Sequence, residues 1–396
     1  MVMIDPANIH VANTYARFPV TFVQGKGASL YDSNGREYLD FVSGIAVCSL
    51  GHCHPAVTEA VKRQVDTLMH VSNLYWTDPQ LKLADLLCRH SFGDRVFFCN
   101  SGAESVESAI KLARRRGRMV KGPDAYEIVC LEGSFHGRTL TALSATGQPV
   151  YQHGFEPLTA GFTHVPVNDI RSLELAVGRR TAAVLMEPVL GEGGVRPLSD
   201  EFLTAARSLC DRHRALLMFD EVQVGMGRTG TLFAYEQTPV EPDVMCLAKA
   251  LANGFPMGAM VARAEAMEYL PPGTHASTFG GNPPACAAAM AVINVMTQPG
   301  FLQRVKELGE YFHAGLVKIA SAHNAVVKEC RGRGLIQAVE LRKPVPDFAM
   351  RLLEDGYLVL LGHGRIVRFL PPLVVERDQI DRMLKALEER VADISA

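Results

Sequence analysis

Three observations predict an α/β fold, with a large domain on a mostly parallel central sheet and a smaller α+β domain. From Arg95 onward, short apolar runs alternate with segments of helical period. These runs are continuously apolar, the pattern of strands covered on both faces. After about residue 297 the alternation stops, and helices give way to a group of short strands.

In chain order, "ASLYDSNGREYLDF" reads as two strands around an Asn34-Gly35 turn, a hairpin signal. Two helices follow, from Pro55 and from Pro79, each with proline at its start. The strands of the large domain are "RVFFCN", "EIVCL", "AAVLMEP", "ALLMFDEV" and "DVMCLA". Between them lie helical segments such as "SGAESVESAIKLARR" and "SDEFLTAARSLCDRH". The alanine-rich Pro283–Met296 reads as a buried helix whose small residues allow close packing. The last strands are "VVKECRGRGLIQAVEL", "YLVLLG" and "IVRFLPP". The division expected is 1–50, a segment joining the small domain; 51–297, the large domain; and 298–396, the small domain.

The 396 residues are 48% hydrophobic, enough for a large core, and the net charge of -2 gives no global reason to expect nucleic acid or an anionic membrane as partner. The basic run Arg114–Lys121 falls where a helix starting near Ser101 should end, and it reads as a solvated helix end. Nothing in "MVMIDPANIHVANTYARF" has the form of a secretory signal, and no apolar segment reaches bilayer length. Nine scattered cysteines, never spaced as CxxC, point to free thiols in a reducing cytoplasm.

Polar residues gather at strand ends, where ligands of open α/β sheets bind. After "RVFFCN", the turn Ser101-Gly102-Ala103 opens a helix, so its free N–H groups suit a phosphate; taken alone, an ordinary N-cap with Glu104 in the first turn is the more common reading. Asp220 and Glu221 end an apolar strand, where a carboxylate can hold a protonated ring nitrogen. Gly225, Gly227 and Gly230 spell G-x-G-x-x-G, but "TLFAYEQTPVEP" follows where a dinucleotide site needs a helix. Lys249 ends another apolar run, and Thr278 lies in the hydroxyl-rich loop "HASTFGGNP". An anion cradle, a strand-end aspartate and a lysine brought out of water together meet the needs of pyridoxal 5'-phosphate, which attaches to lysine as a Schiff base. "GHCHP" offers His52, Cys53 and His54, but without a second ligand pair at suitable spacing no metal is expected.

In "NSGAESVESAIKLAR", "SFHGRT", "MEPVLGEGGV", "FDEVQVGMGRTG", "AKAL", "STFGGNP" and "RFLPPLV", taken in order, the chain resembles the class III pyridoxal-phosphate aminotransferases of fold type I. Within that family it is similar to the acetylornithine branch, which shares "GIAVCSLGHCHP" and "HVSNLYW" as well. The resemblance implies that Lys249 carries the cofactor and shuttles a proton. It places Asp220 at the ring nitrogen, Gln223 at the phenolic oxygen, Val222 and Phe135 around the ring, and the Gly102 and Ala103 backbone at the phosphate. Thr278 would reach the phosphate from the partner subunit of a homodimer. Arg138 and Arg368 match the family's carboxylate-binding arginines, Glu192 matches a gate that pairs with Arg368 until 2-oxoglutarate arrives, and Ser277 faces the acylated end of the donor. His136 either packs near the cofactor or fills space.

The implied reaction is transamination of N-acetylornithine with 2-oxoglutarate in arginine biosynthesis. The branch commonly has asparagine at the position of Cys48, so succinylornithine, ornithine and 4-aminobutyrate stay open as donors. A non-catalytic binding protein of the same fold is the remote alternative; it would be expected to lose Lys249 or Asp220.

Overall fold

The computed structural model describes residues 10–395; residues 1–9 and Ala396, which belong to the expected terminal segments, lie outside the described residues. Seventeen strands occur among the described residues. β1 (Phe22–Lys26), β2 (Ser29–Asp32) and β3 (Glu37–Asp40) form an antiparallel meander. The turn between β2 and β3 is the expected one, with Gly35 at φ +79° and both Asn34 N and Arg36 N donating to Asp32 Oδ1.

β4 (Arg95–Cys99), β5 (Glu127–Leu131), β6 (Phe162–Val165) and β7 (Thr181–Met186) follow. After the short pair β8 (Val189–Leu190) and β9 (Arg196–Pro197) come β10 (Leu216–Asp220), β11 (Val244–Leu247) and β12 (Gly258–Ala262). The central sheet runs β4-β12-β11-β10-β7-β5-β6. Neighbours from β11 through β10, β7 and β5 to β6 are parallel, whereas β12 runs antiparallel to both β11 and β4. β7, β10, β11 and β12 are buried along their whole length, which is why their sequences show no polar alternation.

The helix Gly102–Lys121 packs on β12, β7 and β11, and Asp200–His213 packs on β10 and β7. Pro283–Met296 is buried as its alanines suggest, and it lies against the helices Pro55–Thr67 and Asp78–Arg89. The basic run of residues 114–121 is helical and only partly solvated. Arg114 lies over the Phe162 ring and donates to Ala160 O, and Lys121 Nζ donates to Thr181 O.

A second sheet, β13-β14-β17-β16, comprises β13 (Val327–Arg333), β14 (Ile336–Leu341), β16 (Leu360–Gly362) and β17 (Ile366–Phe369), all antiparallel. β15 (Tyr357–Leu358) instead pairs with β3, so the N-terminal meander and the C-terminal part share a sheet. Among the described residues, no single helix is long and apolar enough to cross a membrane; Pro283–Met296 and Phe301–Ala322 reach that composition only as a pair bent by 71°.

Candidate active site

β4, β10 and β11 all end at one cavity of about 400 Å³. Its lining includes Gly102, Ala103, Phe135, Arg138, Glu192, Asp220, Val222, Gln223 and Lys249. The structure therefore brings together most of the positions singled out in the sequence, from segments up to 147 residues apart (Gly102 to Lys249). Arg368, Ser277 and Thr278 are the exceptions, and Arg368 reaches the cavity wall only through Glu192. Thr278 is exposed, and Ser277 Oγ is 3.1 Å from Asn100 Nδ2 in a neighbouring surface cleft.

Lys249 sits where β11 gives way to a short 3-10 turn, with φ +45°. A side chain at positive φ costs on the order of 1 kcal/mol or more, a strain that clusters at functional sites. Burial lowers its pKa, while Glu192, Asp220 and Glu187 pull the other way. Among the described residues its ammonium makes no ion pair.

Asp220 is buried at the end of β10. Its Oδ1 accepts from Val222 N at 3.0 Å, and Oδ2 lies 2.7 Å from His136 Nδ1. Glu221 points elsewhere: both of its oxygens accept backbone N–H groups, from Ala234 and Tyr235, and burial pushes its pKa up to about 8. Of the two strand-end carboxylates, only Asp220 lines the cavity.

At the head of Gly102–Lys121, Ser101 caps the helix by accepting from Glu104 N, and Glu104 accepts from Asn100 N. The cap and the anion cradle therefore coexist, because the Gly102 and Ala103 amides have no acceptor among the described residues. A Cβ on Gly102 would lie 2.7 Å from Val222 Cγ1, which explains glycine there.

Arg368, on β17, donates through Nη2 to Glu192 Oε2 at 2.8 Å and through Nη1 to Gly191 O at 3.0 Å. Burial alone would raise the Glu192 pKa, but Arg368 brings it below the usual carboxylate value. Gln223 Nε2 approaches Glu192 Oε1 at 3.4 Å, and its Oε1 is buried without a partner. Arg138 is exposed, stacked over Tyr151 at 4.0 Å, and forms no salt bridge among the described residues.

One wall residue was not expected. Glu187, just past β7, accepts from Phe135 N at 2.9 Å and from Gly191 N at 3.1 Å. Burial raises its pKa to about 7. His136, left open in the sequence, is the partner of Asp220. Val47 lines the cavity where Cys48 does not. His52 binds Asp40 Oδ2 at 2.7 Å; burial opposes its charge, but the Asp40 bond raises its pKa to about 10.

The profile of the family described as Aminotransferase class-III matches residues 10–391. The chain belongs to that family. Class III aminotransferases depend on pyridoxal phosphate. The acetylornithine aminotransferase of Gloeobacter violaceus is 51% identical to this aminotransferase over 96% of the chain and 95% of the relative. That of Caldanaerobacter subterraneus is 48% identical over 99% of the chain and all of the relative. Among solved structures, an ornithine aminotransferase from Toxoplasma gondii with partial pyridoxal phosphate at its active site superposes with a TM-score of 0.93 at 36% identity, covering 98% of this chain and 93% of that one.

The donor set fits the cofactor on structural grounds. A buried carboxylate, an orphaned Gln223 oxygen, two free helix N–H groups beside a glycine with no room for a Cβ, and an unpaired lysine converge on a single cavity.

Proposed function

We propose that this aminotransferase moves the distal amino group of N-acetylornithine to 2-oxoglutarate, giving N-acetylglutamate semialdehyde and glutamate, a step of arginine biosynthesis. The observation that carries this reading is the unequal state of two arginines, Arg138 on the cavity wall and Arg368 bound to the cavity's Glu192. Arg368 is neutralised by Glu192, whereas Arg138 has no carboxylate partner among the described residues. A site with one free arginine accepts a donor with one carboxylate far from its reacting amine. Swinging Glu192 away frees the second arginine for a dicarboxylate such as 2-oxoglutarate.

Bound pyridoxal phosphate supplies an electron sink for the carbon that loses and regains a proton. Lys249 Nζ would hold the cofactor and then move that proton; its burial lowers the cost of the neutral amine it needs. The Asp220 carboxylate, seated by Val222 N and His136, would pair with the cofactor's ring nitrogen and keep it protonated. Gln223 would donate to the phenolic oxygen, Phe135 and Val222 would hold the ring, and the Gly102 and Ala103 amides would take the phosphate.

Thr278 and Ser277 act across a homodimer, on the partner's site. The support is an exposed apolar surface beside them: Trp76 and Leu74 are each 82% exposed, Tyr75 69% and Phe279 61%. The pairing of β15 with β3 supports a division into residues 1–50 and 298–396 as one unit and 51–297 as the other. Nine free thiols support a cytoplasmic setting.

A second reading, ornithine as donor, is favoured by the superposition on the Toxoplasma gondii enzyme. A half-reaction without 2-oxoglutarate separates the two. N-acetylornithine, succinylornithine, ornithine and 4-aminobutyrate are mixed singly with holoenzyme while the cofactor's visible absorbance is followed. Fastest loss with N-acetylornithine supports the proposal, and loss only with another donor replaces it.

A further inference from the structure

The segment that carries Glu192 is hydrogen-bonded through its backbone at both ends, while its middle, where Gly193 packs against Gly133, has no such bond. β8 and β9 pair Leu190 with Arg196, so residues 191–195 form the connecting loop. At its start, Gly191 N donates to Glu187 and Gly191 O accepts from Arg368. At its far end, Gly194 O accepts from Arg331 Nε at 2.6 Å. Among the described residues, the amides of Glu192 and Gly193 have no such partner. There is no slack at the pinned glycines: a Cβ on Gly191 would lie 1.9 Å from Gln223 Oε1, and one on Gly194, at φ +98°, 3.0 Å from Arg331 Nη2.

Arg331 lies on β13, outside the cavity lining, and is itself held in place. Its Nη1 binds Glu340 Oε2 at 2.8 Å and Glu329 Oε1 at 2.5 Å. The Glu340 side chain is fully buried and ringed by four cations, Lys328, Arg331, Arg365 and Arg196, at 2.8–3.6 Å. A guanidinium gripped by two carboxylates has little freedom, so its remaining Nε–H presents a fixed donor to Gly194 O.

We propose that Arg331, seated by Glu340, is a positioning residue for the gate. By fixing Gly194 it holds the loop where Glu192 reaches Arg368, and so it sets the balance between the state that accepts the single-carboxylate donor and the state that accepts a dicarboxylate. The donor needs Glu192 on Arg368, and the dicarboxylate needs it off. Loosening the anchor therefore moves the two affinities in opposite directions. This inference rests on the gate reading above.

The test uses holoenzyme carrying Arg331→Met, with Arg331→Lys as the milder variant. The lysine keeps a charge for Glu340 but lacks the fork that reaches both Glu340 and Gly194. Three quantities are measured: KM for N-acetylornithine, KM for 2-oxoglutarate, and the equilibrium Kd of the unreactive dicarboxylate glutarate by fluorescence titration. The expected result for R331M is a donor KM raised about tenfold, the scale of one lost charged hydrogen bond, with glutarate and 2-oxoglutarate bound more tightly and kcat little changed. R331K should fall between R331M and wild type. In a Glu192→Gln background, R331M should add no further change, because its effect passes through Glu192. A parallel rise of both KM values, unchanged glutarate binding, or additive effects in the double variant would overturn the proposal. Failure of the wild type to react with N-acetylornithine would instead strike the donor assignment, and the glutarate titration would still judge the anchor.

Discussion

His136 Nδ1 and Asp220 Oδ2 are 2.7 Å apart, both side chains are buried, and His136 Nε2 has no partner among the described residues. The imidazole leaves the carboxylate a single orientation, because its other oxygen is taken by Val222 N. Asp220→Asn keeps an acceptor for that amide but loses the charge opposite the cofactor's ring nitrogen. The expected kcat falls by about 100-fold or more, the scale of removing a preorganised electrostatic partner. His136→Phe, which leaves the carboxylate intact but unsupported, should cost less, about tenfold. Steady-state kinetics at saturating cofactor measures both.

Gly102→Ala places a methyl 2.7 Å from Val222 Cγ1 and pushes that side chain into the cavity. Alanine is otherwise a better helix residue than glycine. Stability of the cofactor-free protein should therefore change by less than about 1 kcal/mol, while cofactor binding weakens by about tenfold. Chemical denaturation and a cofactor titration separate the two effects.

Glu340 gives the fold an acid-sensitive element. Burial alone would raise its pKa, but Lys328 and Arg331 bring it down to about 2. A carboxyl with a depressed folded pKa stabilises the fold above its unfolded value near 4.5, and that contribution is lost as pH falls through 2. Glu340→Gln should be less stable than wild type at pH 7 by at most about 3 kcal/mol. The gap should narrow below pH 4.5 and close near pH 2. Denaturant midpoints for both proteins at pH 7 and pH 3 check the sign, and a gap that widens in acid would contradict it.

The segments that carry the exposed residues 74–76 and Phe279 lie side by side: Asn73 Nδ2 donates to Ser277 O and Gly280 O, and the His70 and Phe279 rings lie 5.4 Å apart. Light scattering should give wild type twice the 43.2 kDa of one chain. Trp76→Glu should give the single-chain mass and lose most activity, since Thr278 would no longer reach a partner's site.

What the sequence made legible was local. Lys249, Asp220 and Gly102 each follow an apolar run at a strand end, and the strand-turn-helix rhythm alone places such residues on one edge of a parallel sheet. The strand β12 was not legible, because "GAMVA" is a short return strand behind a turn and adds no helix to the alternation. Glu187 escaped notice for a different reason. Its Phe135 partner lies 52 residues back, and "MEP" reads as the end of a strand. Arg331 and Gly194 are 137 residues apart, so no local pattern links them. Cys48 stood out as a departure, yet it is its neighbour Val47 that lines the cavity.

The central claim is that Lys249 Nζ holds the cofactor. Holoenzyme reduced with borohydride and digested should yield one peptide, containing Lys249, heavier by the reduced pyridoxal-phosphate adduct. The same treatment of Lys249→Ala should leave every peptide unmodified. A stable adduct on any other lysine, or wild type with none, would contradict the account.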